Sequence, residues 1–111
     1  MWQAIVLSFL GGLMGANGVP HFVKGISKEE YPTVLGNSPV RNVVAGWAGL
    51  VLAALLVLWA HVERYPVESF IFGSLGVLFM GLFHALGGAF RMNSRFGRVN
   101  PELRNAACVP Q

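Results

Sequence analysis

Charged side chains are scarce in this chain, and three long stretches lack them altogether. Only 12% of its 111 residues are charged, whereas 54% are hydrophobic, and the mean hydropathy is +0.56. Residues 1–23, 42–61 and 69–90 contain no Asp, Glu, Lys or Arg. So apolar a composition excludes an ordinary water-soluble domain of this length and indicates an integral membrane protein.

Acidic groups that could do chemistry are also missing from the three stretches. All five acids of the chain lie outside them: Glu29, Glu30, Glu63, Glu68 and Glu102. This argues against drug/proton exchange, which a carboxylate embedded in the membrane usually runs. The sequence contains no phosphate-cradling loop, no paired carboxylates and no nucleophile with a neighbouring base. It therefore predicts a protein that is not an enzyme.

Cysteine and N-terminal basic residues are the remaining absences. Cys108 is the single cysteine, so it is predicted to be a free thiol and no intrachain disulfide can form. No Lys or Arg precedes the first apolar run, and no convincing small-residue cleavage site follows it. The N-terminal segment is therefore predicted to be a retained helix and not a signal peptide.

What remains is one all-α membrane domain, residues 1–111, with three transmembrane helices. We predict helix 1 at about 2–22, helix 2 at about 39–61, helix 3 at about 69–90 and an irregular cytoplasmic tail over 91–111. A helix of twenty-two residues spans ~33 Å, enough to cross a bilayer. Ser38 before Pro39 is a start signal for helix 2. The short 61–68 connection predicts an antiparallel hairpin of helices 2 and 3.

Small residues recur on one face of each helix, where they allow the backbones of neighbouring helices to approach closely in lipid. The predicted packing residues are Gly11, Gly15, Gly18, Gly46, Gly49, Ala53, Gly73, Gly81 and Gly88. Three short helices cannot readily bury all three of these faces against one another. We therefore expect the chain to pack against other membrane chains, identical or different.

Basic residues predict the orientation. With three crossings, one side carries only Arg64, whereas the other carries Lys24, Lys28, Arg41, Arg91, Arg95, Arg98 and Arg104. Cytoplasmic segments of membrane proteins carry an excess of Lys and Arg. We therefore predict a plasma (inner) membrane protein with its N-terminus outside the cell and its C-terminus in the cytoplasm. Arg91, Arg95, Arg98 and Arg104 are predicted to bind anionic lipid headgroups. Four arginines beside a membrane give little support for nucleic-acid binding.

Three polar side chains inside the spans are the candidate site: Asn17, His21 and His84. Asn17 and His84 are predicted at similar depth, where a hydrogen bond between them would satisfy both groups. Asn17 lies off the glycine stripe of helix 1, so a different neighbour, from this chain or a second subunit, must bury it. A haem or metal held by His21 and His84 is not expected, because no cysteine or carboxylate stands nearby and His61 is at the opposite end.

Two resemblances can be stated on specific residues. The segments PHFVKGI (residues 20–26) and YPTVLGNSPVRN (residues 31–42), followed by Gly46–Trp47, resemble a group of small bacterial membrane proteins that brings no function with it. The architecture is similar to that of SemiSWEET sugar transporters, which work as dimers. Here the Pro-Gln of that family is Pro20-His21, and helix 3 lacks the Asn that those proteins present to sugar.

Two functions follow as hypotheses. The preferred one is a non-enzymatic structural or accessory subunit of a membrane assembly, because the glycine faces call for partners. The alternative is a homo-oligomeric transporter or channel for a small solute, lined by Asn17, His21 and His84. No cofactor is expected in either case.

The orientation can be tested with thiol chemistry. A cysteine at position 63 (Glu63→Cys, in a Cys108→Ser background) should react with an impermeant reagent added to intact cells. Cys108 of the wild type should react only after the membrane has been opened. Labelling of Cys108 in sealed cells would reverse the orientation and the charge argument behind it.

Overall fold

The computed structural model describes residues 1–101, which form three long helices and a short one. Helix α1 runs over Trp2–Ile26, α2 over Pro39–Trp59, α3 over Pro66–Ala85 and α4 over Gly88–Arg95. The first three, of 25, 21 and 20 residues, are long and apolar enough to cross a membrane. The predicted all-α class with three helices of membrane-spanning length is confirmed.

Large apolar side chains cover the outer surface of these helices. Trp2, Val40 and Phe70 are 76%, 73% and 77% exposed, and many Leu, Val and Phe side chains are exposed beside them. Water-soluble proteins rarely carry apolar patches of this extent. The surface therefore suits a hydrocarbon environment.

Proline and glycine set several helix boundaries; α2 starts at the expected residue, whereas the two ends of α3 differ from the expected ones. The Ser38 side chain accepts a hydrogen bond from the Arg41 amide, and Pro39 opens α2. Helix α3 begins at Pro66, before the charge-free stretch, because proline is well suited to the first helical position. It ends at Ala85 and not near residue 90, since Gly87 has φ 79° and breaks the helix. Tail residues up to Arg95 then form α4.

Pro20 does not end α1, which continues to Ile26. A proline inside a helix removes a single backbone hydrogen bond, and neighbouring helices can compensate for that loss. The expected end near residue 22 was therefore too early. The extra turn carries Gly25 against α2, where a Cβ atom would lie 2.6 Å from the Val43 amide nitrogen.

Helix α1 is the central element, and α2 and α3 both pack on it. It runs antiparallel to α2, with Gly11 beside Val57 and Gly25 beside Val43, and parallel to α3. In the described part of the chain, no Cα atom of α2 lies within 8 Å of one in α3. The predicted hairpin of helices 2 and 3 is therefore corrected: a short connection joins them, but each helix packs on α1.

Backbone contact between helices explains this arrangement. A Cβ atom on Gly18 would lie 2.8 Å from the Gly46 carbonyl oxygen, so α1 and α2 touch through their main chains. On the α3 side, a Cβ atom on Gly76 would clash with the Phe9 carbonyl group. Both sides of α1 thus require glycine for the helices to approach this closely.

The glycines predicted from sequence fall into three groups. Those of α1 and α2, together with Ala53, lie on the α1–α2 contact: Gly11, Gly15, Gly18, Gly46 and Gly49. Gly73 lies on the α1–α3 contact, where its Cβ atom would be 3.6 Å from the Ser8 carbonyl oxygen. Gly88 belongs to α4 and faces the Phe83 ring, whereas a Cβ atom on Gly81 would meet no atom within 4 Å. Most of the small-residue surface is thus used inside one chain.

The two kinds of glycine on α3 provide a test. Gly76→Ala should lower the free energy of unfolding in mild detergent by about 1–3 kcal/mol, because a backbone carbonyl cannot move aside as a side chain can. Gly81→Ala, on the same helix, should not destabilise the fold. Equal melting temperatures for the two variants would contradict the α1–α3 contact. The larger substitution Gly81→Leu tests contacts between chains. The sequence predicts that it disrupts assembly, which the oligomeric state of the variant would show.

Candidate functional site

Five polar side chains meet at the end of the bundle where α4 lies. The α1–α2 connection contributes one of them and the three long helices contribute the other four, and we call them the polar cluster: Asn17, His21, Tyr31, Asn42 and His84. Asn17 and His21 share a face of α1 because they are one turn apart. Antiparallel α2 returns Asn42 to the same level, and parallel α3 brings in His84.

Asn42 is the most deeply buried member, with 0% of its surface exposed. Its Nδ2 group donates to the carbonyl oxygens of Tyr31, Ser38 and Asn37, at 2.7, 3.0 and 3.2 Å. Three acceptors around one amide group identify it as the nitrogen. Asn42 therefore ties the α1–α2 connection to the start of α2.

The hydrogen bond with Asn42 determines which ring nitrogen of His21 carries the proton. Since the Asn42 Nδ2 group is a donor, its Oδ1 atom must accept, and His21 Nδ1–H donates to it at 3.0 Å. The Nε2 atom of a neutral His21 then carries a lone pair. It has no hydrogen-bond partner among residues 1–101.

His84 joins two other members of the cluster. Its Nε2–H donates to Asn17 Oδ1 at 2.8 Å, and its Nδ1 atom accepts from the Tyr31 hydroxyl at 3.1 Å. The hydrogen bond expected between Asn17 and His84 is confirmed. The neighbour that half-buries Asn17 is α3 of the same chain, so no second subunit is needed for it.

Tyr31 lies at the centre of a group of rings that meet edge-to-face or at a tilt. Its ring centroid is 5.3 Å from that of His21, 5.4 Å from Phe90 and 6.1 Å from His84. The two imidazole rings are themselves 5.6 Å apart. Burial raises the pKa of the Tyr31 phenol, and the nearby Lys24 ammonium opposes this with a smaller effect. Tyr31 therefore stays protonated and can act as the donor to His84.

A cavity of about 600 Å³ lies beside the cluster, on one side of α1 between α2 and α3. Asn17, His21 and His84 all line it. Apolar side chains form most of its remaining walls: Leu13, Met14, Leu52, Phe79, Met80 and Phe83 from the long helices, and Val34, Leu35, Met92 and Phe96 at the α4 end. None of its lining residues is charged. The three candidate residues predicted from sequence thus share one space.

Hydrogen bonds join the segment after α4 to the α1–α2 connection. Arg98 Nη1 donates to the carbonyl oxygens of Thr33 and Val34 at 2.9 and 3.0 Å, and Asn37 Nδ2 donates to the Val99 carbonyl at 2.8 Å. These bonds hold the α4 end of the cavity together. The guanidinium of Arg98 is thus engaged within the protein.

Lipid headgroup binding by the arginines stays a prediction. Arg91 and Arg95 are exposed on α4, where they are free to face headgroups. Arg104 lies outside the described residues, as does Cys108.

A metal site is not formed by the histidines in the described part of the chain. No group of three or more His, Cys, Asp and Glu side chains is placed to hold an ion there. His21 and His84 do converge, but three of their four ring nitrogens are already hydrogen-bonded. His61 is at the opposite end, 3.4 Å from Glu63.

Sequence reasoning missed Tyr31 and Asn42. Both stand in the YPTVLGNSPVRN segment, where Asn42 directly follows Arg41 and looks like an interfacial residue. The available signal was spacing: Asn42 is the uncharged polar residue of the first turn of α2, and an antiparallel partner brings that turn beside His21. The position of Tyr31 depends on how the α1–α2 connection folds, and the periodicity of the sequence does not predict the fold of an irregular segment.

Comparison with protein-family models, with curated proteins and with solved structures finds no match to this chain. The resemblances to small bacterial membrane proteins and to SemiSWEET transporters therefore stay predictions.

The role of Asn42 can be measured directly. Asn42→Leu keeps the side-chain size but leaves His21 Nδ1–H and the connection carbonyls without their partner. We expect the free energy of unfolding in mild detergent to fall by about 1–3 kcal/mol. Val44→Leu, an exposed position in the same turn, is the matched control. An Asn42→Leu protein as stable as the control would show that the bonds of Asn42 do not hold the connection.

The role of Tyr31 can be tested by measuring the stability of the protein at alkaline pH. The pKa of Tyr31 is raised on folding, so its contribution is fully present below about pH 10, the value for free tyrosine, and is lost as the pH rises through the folded pKa. Tyr31→Phe should cost about 1 kcal/mol at neutral pH and should reduce the alkaline loss. Tyr65→Phe, at the opposite end of the bundle, is the control. If wild type and Tyr31→Phe lose stability equally at high pH, Tyr31 is not the group responsible.

Proposed function

We propose that this chain is a multi-pass membrane protein that binds a small solute in the cavity beside the polar cluster, as a subunit of a homo-oligomeric carrier or channel. One observation carries the proposal: Asn17, His21 and His84 line a single cavity of about 600 Å³. Sites for small molecules are commonly apolar spaces of about 300–1,000 Å³ with a few polar groups that fix orientation.

Unused hydrogen-bonding capacity favours binding over a purely structural cluster. The Nε2 atom of His21 and the Nδ2 group of Asn17 have no partner in the part of the chain that the structure describes. Both residues line the cavity. Polar groups at membrane depth are costly unless they are paired, so a bound solute would supply what the protein leaves unpaired.

The charge asymmetry supports an orientation for this site. In our proposal the protein lies in the plasma membrane with its N-terminus outside, so the α4 end and the cavity are on the cytoplasmic side. A cavity in the cytoplasmic half of one chain does not cross the membrane. Transport would therefore need the pathway to be continued by a second copy.

A structural or accessory subunit is the second candidate, and a separate feature favours it. On the other side of α1 lies a groove of about 700 Å³, which we call the glycine groove; its walls include Gly12, Gly15 and Ala16. Ser8 and Ser69 also line it; they are 3% and 7% exposed, and their hydroxyls have no partner among residues 1–101. A transmembrane helix of another protein would find along these small residues a surface that permits close backbone approach.

Flux across liposomes tests the first function. Protonation of His84 would turn Nδ1 into a donor and reverse the direction of its bond with Tyr31, whose hydroxyl would then accept. His21 and Tyr31 are the titratable groups that face His84. We expect solute or proton flux to change between about pH 5 and 8 in the wild type and to be lost or made independent of pH in His84→Gln. The control is Gly81→Ala, which touches neither the cluster nor the cavity.

Absence of flux at every pH, for wild type and variants alike, would rule out a carrier or channel. Native mass analysis after mild extraction then addresses the second function. A structural subunit should be recovered with unlike chains, whereas a homodimer alone would favour the carrier. The substitution Ser8→Leu should release the unlike chain if the glycine groove is its docking site.

A further inference from the structure

Two polar groups of the cluster have no hydrogen-bond partner among residues 1–101: His21 Nε2 and Asn17 Nδ2. His21 Nε2 is an acceptor, because Nδ1 holds the proton that goes to Asn42. Asn17 Nδ2 is a donor, because Oδ1 accepts from His84. The two residues are one turn apart on α1 and line the same cavity. The residues that line the cavity thus include one unused acceptor and one unused donor, one turn apart on α1.

The walls restrict what can bind there. Among the lining residues there is no Asp, Glu, Lys or Arg, and apolar side chains surround the polar corner. A charged ligand group would lose its hydration without gaining a counter-charge, which strongly disfavours its binding in such surroundings. An uncharged polar group avoids this cost. Met14, Met80 and the rings of Phe79 and Phe83 then suit an apolar body attached to it.

We infer that the cavity takes an uncharged, hydroxyl-bearing amphiphile. The hydroxyl group donates to His21 Nε2 and accepts from Asn17 Nδ2, and a single O–H group does both. The apolar part of the ligand lies against the methionine and phenylalanine wall. This assignment rests on the proposed solute binding and adds the chemical class of the solute to it.

A ligand with this hydroxyl group can come from two sources. A membrane lipid with a neutral hydroxyl headgroup would enter from the bilayer, and a free alcohol or phenol would enter from water. Both present the same O–H group to His21 and Asn17. The experiment therefore includes one competitor of each kind.

Photolabelling with three matched probes tests the inference. The probes are diazirine-bearing octanol, its methyl ether and the corresponding octanoate, each added at neutral pH to the protein in liposomes. The alcohol should label wall peptides of α2 and α3 about tenfold more than the ether, which has no proton to donate, and more than the charged octanoate. Diacylglycerol or phenol should compete with it, and which one does identifies the source.

Variants separate the site from non-specific partitioning. Ala48→Trp fills the cavity without touching the cluster, and Ala54→Trp makes the same change on α2 at an exposed position that lines neither cavity nor groove. Labelling by the alcohol should be lost in Ala48→Trp and in His21→Phe and kept in Ala54→Trp. Melting temperatures confirm that each variant is folded, and Ala48→Trp keeps the test valid if His21→Phe does not fold.

The outcomes distinguish this inference from the function on which it rests. If octanoate or the ether labels the wall as strongly as the alcohol, and Ala48→Trp removes the labelling, the ligand class is wrong and solute binding stands. If neither competitor displaces the alcohol, the assignment is also overturned. If no probe labels the wall above the level of Ala48→Trp, both proposals fall.

Discussion

The contact of the α1 backbone with two other helices is the constraint on which the rest of the structure depends. Gly18 meets the Gly46 carbonyl on one side, and Gly76 of α3 meets the Phe9 carbonyl on the other. Without glycine at these positions, side chains would hold the helices apart, and the registers that bring Asn17 to His84 and His21 to Asn42 would be lost. The polar cluster is thus a consequence of main-chain packing.

Because α2 and α3 both use α1, they leave space on its two remaining sides. One space ends in the polar cluster and is closed at the α4 end by Met92, Phe96 and the residues that Arg98 holds. The other is the glycine groove, with two unpartnered hydroxyls among its walls. Each proposed function corresponds to one of these spaces, so a single architecture accounts for both hypotheses.

How far the sequence predicted this structure can be judged from particular residues. Missing charge identified the three long helices, and counting depth from their ends paired Asn17 with His84. The short 61–68 connection suggested that helices 2 and 3 pack together, but connection length limits the distance between helix ends only. A helical wheel gives the face of a residue and not its neighbour, so Gly81 looked equivalent to Gly73, although only Gly73 lies against α1. Tyr31 could not be found, because the fold of the connection depends on Asn42 bonding to its carbonyls.

The central position of α1 also has a consequence for the order of assembly. The chain is made from its N-terminus, so α1 and α2 are both complete when Trp59 has been added. This pair already contains the bond between His21 and Asn42, and α3 later packs on a face of α1 that α2 does not use. A nascent chain that stops before residue 66 therefore contains both members of the α1–α2 pair but lacks the α3 wall of the cavity. The cavity is complete only after α3, α4 and Arg98 have been added to this pair.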